Sequence, residues 1–240
     1  MIGKGKSISH GVAALEYDLA KEINGQAVAT EIARHELYGC TGAEMVQEMK
    51  PYHIDFPNVK NNCLRFEVSP SIEESATFTD ADWAELGNDF MQRMGLANHQ
   101  YIIIRHSGTE SKKEQAHLHI LANRVSLSGE LYRDNWIGKK ATEAANAIAK
   151  ERNFVQSQDI GKVNKAEIKE AMDGVLKKMQ GFDFTKFKEE LGKRGFKVRE
   201  ARASTGKLNG YYVTARSGTE YKASEIGKGY TLALSLIHIS

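Results

Sequence analysis

Cysteine is scarce in this chain. Its 240 residues hold two, Cys40 and Cys63, too few for a disulfide scaffold and without metal-ligand spacing. A reduced, cytoplasmic protein is the expectation that follows. Long apolar runs are missing as well, and no stretch approaches the roughly 20 residues that a membrane span needs. The opening MIGKGKSISHG is basic but no apolar h-region follows it, so no signal peptide is expected. GKGKS also lacks the full G-x-x-x-x-G-K-[ST] pattern and no strand is expected before it, which excludes a nucleotide-binding loop. No internal repeat is present. What remains is ordinary globular composition, 41% hydrophobic and 27% charged, enough for one sizeable core or a domain with a small appendage.

The net charge of +2 conceals an asymmetry. Residues 1–135 carry 13 Lys/Arg against 19 Asp/Glu, whereas residues 136–240 carry 20 against 12. A basic second half suits phosphate contacts, although solvated helical faces give the same signature.

Hydrophobic periodicity places the elements. Residues 9–23 read as a helix with Ser9 as N-cap and a stripe of Val12, Leu15, Leu19 and Ile23. Tyr17 projects about 200° from Leu15 on that helix, so its hydroxyl is expected to face outward. Residues 29–50 read as a second helical stretch, broken at Gly39–Gly42, and Cys63–Val68 as a strand. Thr79 opens a helix whose Trp83, Leu86, Phe90 and Met94 share a face, with Gly95 as its stop. Residues 100–106 and 117–125 are β-branched strands, expected as an antiparallel hairpin around the polar loop SGTESKKEQA. A helix over 138–152 follows, then helices over 165–179 and 182–191. Two strands, FKVREARAS and GYYVTARSG, come last.

The hairpin carries the chemistry. Successive strand residues face opposite sides, so His117, His119, Leu121 and Asn123 share one face, with Leu118, Ile120 and Ala122 on the other. His106 ends the first strand where His117 begins the second. Three imidazoles can then converge as a facial metal site with open coordination positions. A divalent ion there would hold phosphodiester oxygens, and a tyrosine hydroxyl would supply the nucleophile. Taken alone, His-x-His is weak, because a pair of polar strand residues facing solvent gives the same pattern far more often.

The stretches IIIRH and HLHILANRV resemble the histidine triad of mobilisation-class relaxases, within the wider histidine–hydrophobe–histidine endonuclease superfamily. His106, His117, His119 and Asn123 match that pattern residue by residue, and the resemblance runs from about Gly3 to Arg152. It implies a nucleophilic tyrosine ahead of the triad on an N-terminal helix, the place held by Tyr17, with Tyr38 in reserve. Related rolling-circle initiators have their tyrosine after the histidines, so the order here favours a relaxase. The resemblance further implies Mg²⁺ or Mn²⁺ as cofactor and single-stranded DNA at a transfer origin as substrate. Accessory relaxosome proteins and a secretion-system coupling protein are the implied partners. The family's aspartate shortly after the first histidine is missing here. Glu110 and Glu114 remain to orient a histidine from behind, with Asn123 beside them. Two rivals stand beside this reading, a hydrolase with a water nucleophile and a DNA-binding module that never cuts.

Among other residues, Lys4, Lys6, Arg124 and Arg133 are the expected phosphate contacts. His10, His35, His53 and His99 are expected on the surface or in loops, and Trp83 in the core. Trp136 is positioned either to stack a base or, the safer expectation, to pack. The fold expected is α/β (α+β), a central antiparallel sheet with helices packed on one face and the metal site on the other. A helical segment and a small β-rich region follow. The expected divisions are a nuclease domain over 1–155, a helical linker over 156–180 and a small basic region over 181–233. Residues 234–240 read as an in-frame translation of a sequencing adaptor, and the natural chain is expected to be longer.

Overall fold

The strands that were easiest to read sit at the centre of a five-stranded sheet. The computed structural model describes residues 1–108 and 115–231. Contacts divide the chain into a first unit, Met1–Ser157, and a second, Gln158–Ser240. No helix among the described residues is long and apolar enough to cross a membrane.

The first unit begins with β1 (Ile2–Ile8), α1 (Gly11–Leu19), the two-residue strands β2 (Glu22–Ile23) and β3 (Gln26–Ala27), and β4 (Ala29–His35). Then come α2 (Gly42–Met49), β5 (Cys63–Ser69), the single turn α3 (Ile72–Ser75), α4 (Asp80–Arg93), β6 (His99–His106), β7 (His117–Ser126) and α5 (Ile137–Glu151). The large sheet runs β1-β5-β7-β6-β4 and every neighbouring pair is antiparallel. The hairpin register sets His106 opposite His117, Ile104 opposite His119 and Ile102 opposite Leu121.

Alternation along these strands builds two cores. Leu64, Phe66, Val68, Ile103, Leu118 and Ile120 face α4 and α5, burying Trp83, Leu86, Phe90 and Ile148 against them. Thr79 caps α4 with a reciprocal capping box through Asp82, and Gly95 ends it at φ +72°. The opposite face is not bare. Cys63, Ile102, Ile104 and Leu121 meet Ala14 and Leu15 of α1 and Met45, Val46 and Met49 of α2. Helices α4 and α5 give the expected covered face, and α1 and α2 add a partial cover on the histidine side.

Three local expectations are corrected. GKGKS, for which no element was expected, lies in the edge strand β1. Its Gly3 and Gly5 let α5 approach, so that a Cβ on Gly3 would collide with the Ala141 carbonyl and lie 2.6 Å from Ala145 Cβ. Ala29–His35, expected to be helical, forms the other edge strand against β6. Ala, Glu and Arg favour helices, but tertiary pairing overrides so weak a preference. The first helix starts at Gly11 after an uncapped His10 and stops at Leu19, and its buried stripe is Gly11, Ala14, Leu15 and Asp18. Val12 is exposed instead.

The second unit comprises α6 (Ser157–Leu176, beginning one residue ahead of it), α7 (Phe184–Lys193), β8 (Lys197–Arg202), β9 (Leu208–Thr214), β10 (Glu220–Lys222) and the short α8 (Ala223–Ile226). Its sheet is ordered β10-β9-β8, again antiparallel. Residues 156–180 are not a linker, because Ile168, Met172 and Val175 of α6 lie in one core with Phe187, Tyr211 and Val213. Residues 234–240 lie outside the described residues.

Gly3→Val is expected to lower the unfolding free energy by about 1–3 kcal/mol through overpacking between β1 and α5. Urea titration checks this, and an unchanged midpoint would refute the close approach.

Candidate metal centre

His106, His117 and His119 come together at the open end of the hairpin. One nitrogen from each lies within 4.8 Å of the other two, and Nε2 of His117 is 3.0 Å from Nε2 of His119. Two nitrogens at right angles on a metal with bonds of about 2.1 Å sit about 3.0 Å apart, so the pair is spaced as a facial site requires. His106 and His117 are buried and His119 nearly so.

The remaining nitrogens are held from behind. Nδ1 of His117 donates to the Gln115 carbonyl at 3.1 Å, which leaves its Nε2 lone pair for a ligand. Nε2 of His106 donates to the main-chain carbonyl of Asp18 at 2.7 Å, leaving Nδ1 as the lone-pair nitrogen of that neutral ring. Nδ1 of His119 accepts from Arg65 Nη2 at 3.4 Å and lies 3.8 Å from the Asp18 carboxylate.

Asp18 therefore touches the site twice, through its main chain and its side chain, and the sequence reading missed it. It is buried on α1, and Arg65 of β5 grips its carboxylate with two hydrogen bonds. Burial pushes the Asp18 carboxyl above its ordinary value, and the Arg65 pair pulls it back only in part. The available signal was a carboxylate at a core-facing position of the helix, seven residues after Gly11 and three after Leu15. Glu110 and Glu114, expected in this orienting role, lie outside the described residues.

Two of the three imidazoles are pushed towards the neutral form. Loss of water depresses His119 most, helped by the positive charge of His106, His117, Arg65 and Lys4, and its pKa falls to about 2. Burial also lowers His106, against the opposing pull of its bond to Asp18. Neutral rings are the form that binds a metal.

Tyr17 follows from the same helix. It is 56% exposed, one residue before Asp18, and Lys21 Nζ donates to its hydroxyl at 2.7 Å. Tyr38 is exposed on the loop before α2, where it donates to Glu36, and that hydrogen bond holds its hydroxyl above the ordinary tyrosine value.

Asn123 is not placed as expected. It is fully buried on the histidine face, but its side chain bonds His53, the Met49 carbonyl, Gln100 and the Val125 amide, and none of the triad. It fastens α2 and the 50–53 turn to the sheet. His53 and His99 are likewise drawn inward: His99 is buried and bonds the Asn123 carbonyl.

The four expected phosphate contacts separate. Lys4 and Lys6 share the face of His119 and, with Arg65 and Glu67, line a hollow of about 230 Å³ beside it. Lys4 pairs with Glu67 at 2.9 Å, and Lys6 is exposed. Arg124 is spent on structure, bonding Asp134 and the carbonyls of Asn61 and Tyr132. Arg133 is exposed near Trp136, which is 77% exposed rather than packed. Cys63 is buried, and burial pushes its thiol up to about 11, an inert group.

A family model described as "Relaxase: MobA/VirD2-like, nuclease domain" matches residues 17–154. Among solved structures, the chain is similar to a conjugative relaxase TrwC in complex with oriT DNA, in a metal-bound form. The identity is 11% and the TM-score 0.39, over 86% of this chain and 74% of that one. No curated protein matches significantly.

Asn123→Ala is expected to cost about 2–3 kcal/mol by stranding buried partners. Denaturant unfolding beside metal titration separates the two roles, since unchanged stability with lost metal affinity would restore Asn123 to the centre. The metal-free protein should also lose stability from pH 7 towards pH 5. The unfolded chain protonates its histidines near 6.5, whereas folded His99, His106 and His119 resist. Each contributes up to about 1.4 kcal/mol per pH unit below that value. Asp18 acts in the opposite sense, only in the lower carboxylate range. Chemical unfolding in EDTA measures this, and a midpoint that does not move with pH would contradict it.

Proposed function

This chain belongs to the MobA/VirD2-like relaxase family through its nuclease domain, and on that premise we propose that it nicks one DNA strand at a transfer origin by tyrosine transesterification. The observation that carries the proposal is the seat of α1. Its Asp18 reaches two histidines of the triad, and its exposed Tyr17 is the next residue along the chain.

In this reading the Tyr17 oxygen attacks the scissile phosphorus. A phosphotyrosyl bond to the 5′ end forms, the bond from phosphorus to the 3′ oxygen breaks, and the hydroxyl proton is lost as the 3′ oxygen gains one. The Lys21 ammonium, already donating to the Tyr17 hydroxyl, places positive charge beside the attacking oxygen. Lys4, Lys6 and Arg65 border the hollow next to His119, where they can hold flanking phosphates. His106, His117 and His119 would hold a divalent ion, which when bound polarises non-bridging phosphate oxygens. Three imidazoles suit Mn²⁺ better than Mg²⁺, which prefers oxygen donors. Energy kept in the phosphotyrosyl ester lets the 3′ hydroxyl reverse the step. Accessory relaxosome proteins, a coupling protein and a cytoplasmic setting belong to the same proposal.

Labelled single-stranded origin DNA with Mn²⁺ or Mg²⁺, run on a denaturing protein gel, tests it. A metal-dependent adduct is expected, absent in Tyr17→Phe and reduced at least about 100-fold in His117→Ala. Cleavage that survives Tyr17→Phe without an adduct would replace the tyrosine with water. Binding without cleavage would overturn the enzymatic reading.

A further inference from the structure

We propose that the second unit binds duplex DNA by laying the open face of its three-stranded sheet into the major groove. The family match ends at residue 154, so this surface lies outside it. Charge is the first observation. Residues 158–240 carry 16 Lys/Arg and 10 Asp/Glu, whereas residues 1–157 carry 17 and 21. The unit with the metal centre is net acidic, and the positive charge that a polyanion requires is in the other.

Shape is the second. Val198, Tyr211, Val213 and Tyr221 point one way into the core beneath the sheet. The alternate residues point the other way. Register sets Lys197, Thr214 and Glu220 in one row across the strands, and Arg199, Tyr212 and Lys222 in the next. Lys197, Arg199, Glu220 and Lys222 are exposed. Three strands about 4.8 Å apart span about 10 Å, which fits a B-form major groove about 12 Å wide. Sheets and ribbons are known to read DNA in this way.

The middle of that face is organised in advance. The Arg199 guanidinium stacks over the Tyr212 ring, 4.2 Å from its centroid, and Glu220 holds it through two hydrogen bonds of 2.8 and 2.6 Å. Arginine held flat presents its remaining N–H groups to guanine edges, and a glutamate beside it can accept from cytosine. Lys197 and Lys222 flank this pair in positions suited to phosphates, and Lys207 extends from the β8–β9 turn.

The affinity stands apart from nicking; only its location at a transfer origin rests on the reading above. The test uses the whole chain with a labelled 20-base-pair DNA duplex in EDTA, so it reads the same whether or not the chain cuts. Anisotropy from 50 to 200 mM salt is expected to show strong salt dependence. Lys197→Gln/Arg199→Gln/Lys222→Gln should weaken binding at least 30-fold and lower the salt slope by about 2–3 units, near 0.9 for each lost phosphate contact. Lys197→Gln/Lys222→Gln leaves the Arg199–Tyr212–Glu220 cluster in place and should still lower the slope by about 2. A duplex RNA of equal length should bind markedly less, because its deep, narrow major groove excludes a sheet. Wild-type affinity in either variant, with unchanged thermal melting, would overturn the proposal. Equal affinity for duplex RNA would overturn it too.

Discussion

The register of β6 against β7 is the constraint on which the candidate site depends. With His106 opposite His117 and Ile104 opposite His119, both histidines of the second strand fall on the face that α1 covers. Side-chain direction has a period of two, so a slip of one residue would turn His117 and His119 into the core under α4 and α5. It would also bring Leu118 and Ile120 out of that core. The hydrophobic contacts that hold the sheet to α4 and α5 are thus the same contacts that aim the imidazoles. No separate device is needed to position the centre, and its rigidity is inherited from the most deeply buried strands of the fold.

What the register leaves open is the direction of each ring; Asp18 bears on two of them and the Gln115 carbonyl on the third. A carboxylate on the buried stripe of α1 would be costly without partners. Arg65 from β5 supplies the opposite charge and the hydrogen bonds, and His119 lies beside the same carboxylate. One charged group therefore ties α1, β5 and β7 together, while its main-chain carbonyl accepts a hydrogen bond from His106 Nε2. The neutral form of His119 is favoured by the same packing, because that ring loses most water and also faces the Arg65 cation. A helix docked in this way cannot move without disturbing two histidines.

The hairpin was legible because its residues alternate strongly: β-branched and aliphatic side chains fill one face, and polar ones at fixed spacing mark the other. The capped α4 was legible through Thr79, Asp82 and Gly95, each with a local mechanism. The edges of the sheet were not. In β1, glycine alternates with lysine, and the reason lies far along the chain, where Ala141 and Ala145 of α5 need a strand without side chains beneath them. In β4, helix-favouring residues are drafted into an edge by pairing with β6. Asp18 escaped notice for a similar reason, since its partners Arg65 and His119 are 47 and 101 positions away, and spacing within a helix says nothing about either. Asn123 shows the converse. A motif assigned it to the histidine face, which is where it lies, yet only the packing of α2 and the 50–53 turn shows that its hydrogen bonds serve the scaffold.

On the two proposals above, the units divide the physical problem of acting on DNA. A site that must develop charge on a phosphate benefits from burial and neutral donors, and the first unit provides these at the cost of a net acidic surface. Such a surface repels the substrate over distances near the Debye length, about 8–10 Å. Local cations such as Lys4, Lys6 and Arg65 offset that repulsion only beside the triad. Long-range attraction has to come from elsewhere in the chain, and the second unit, with six more basic than acidic residues, is the part able to supply it. Affinity and chemistry then respond to different variables. Salt weakens the first by restoring counterions to the phosphates. On the proposed mechanism, loss of the three imidazoles would remove the second and leave DNA held but uncut.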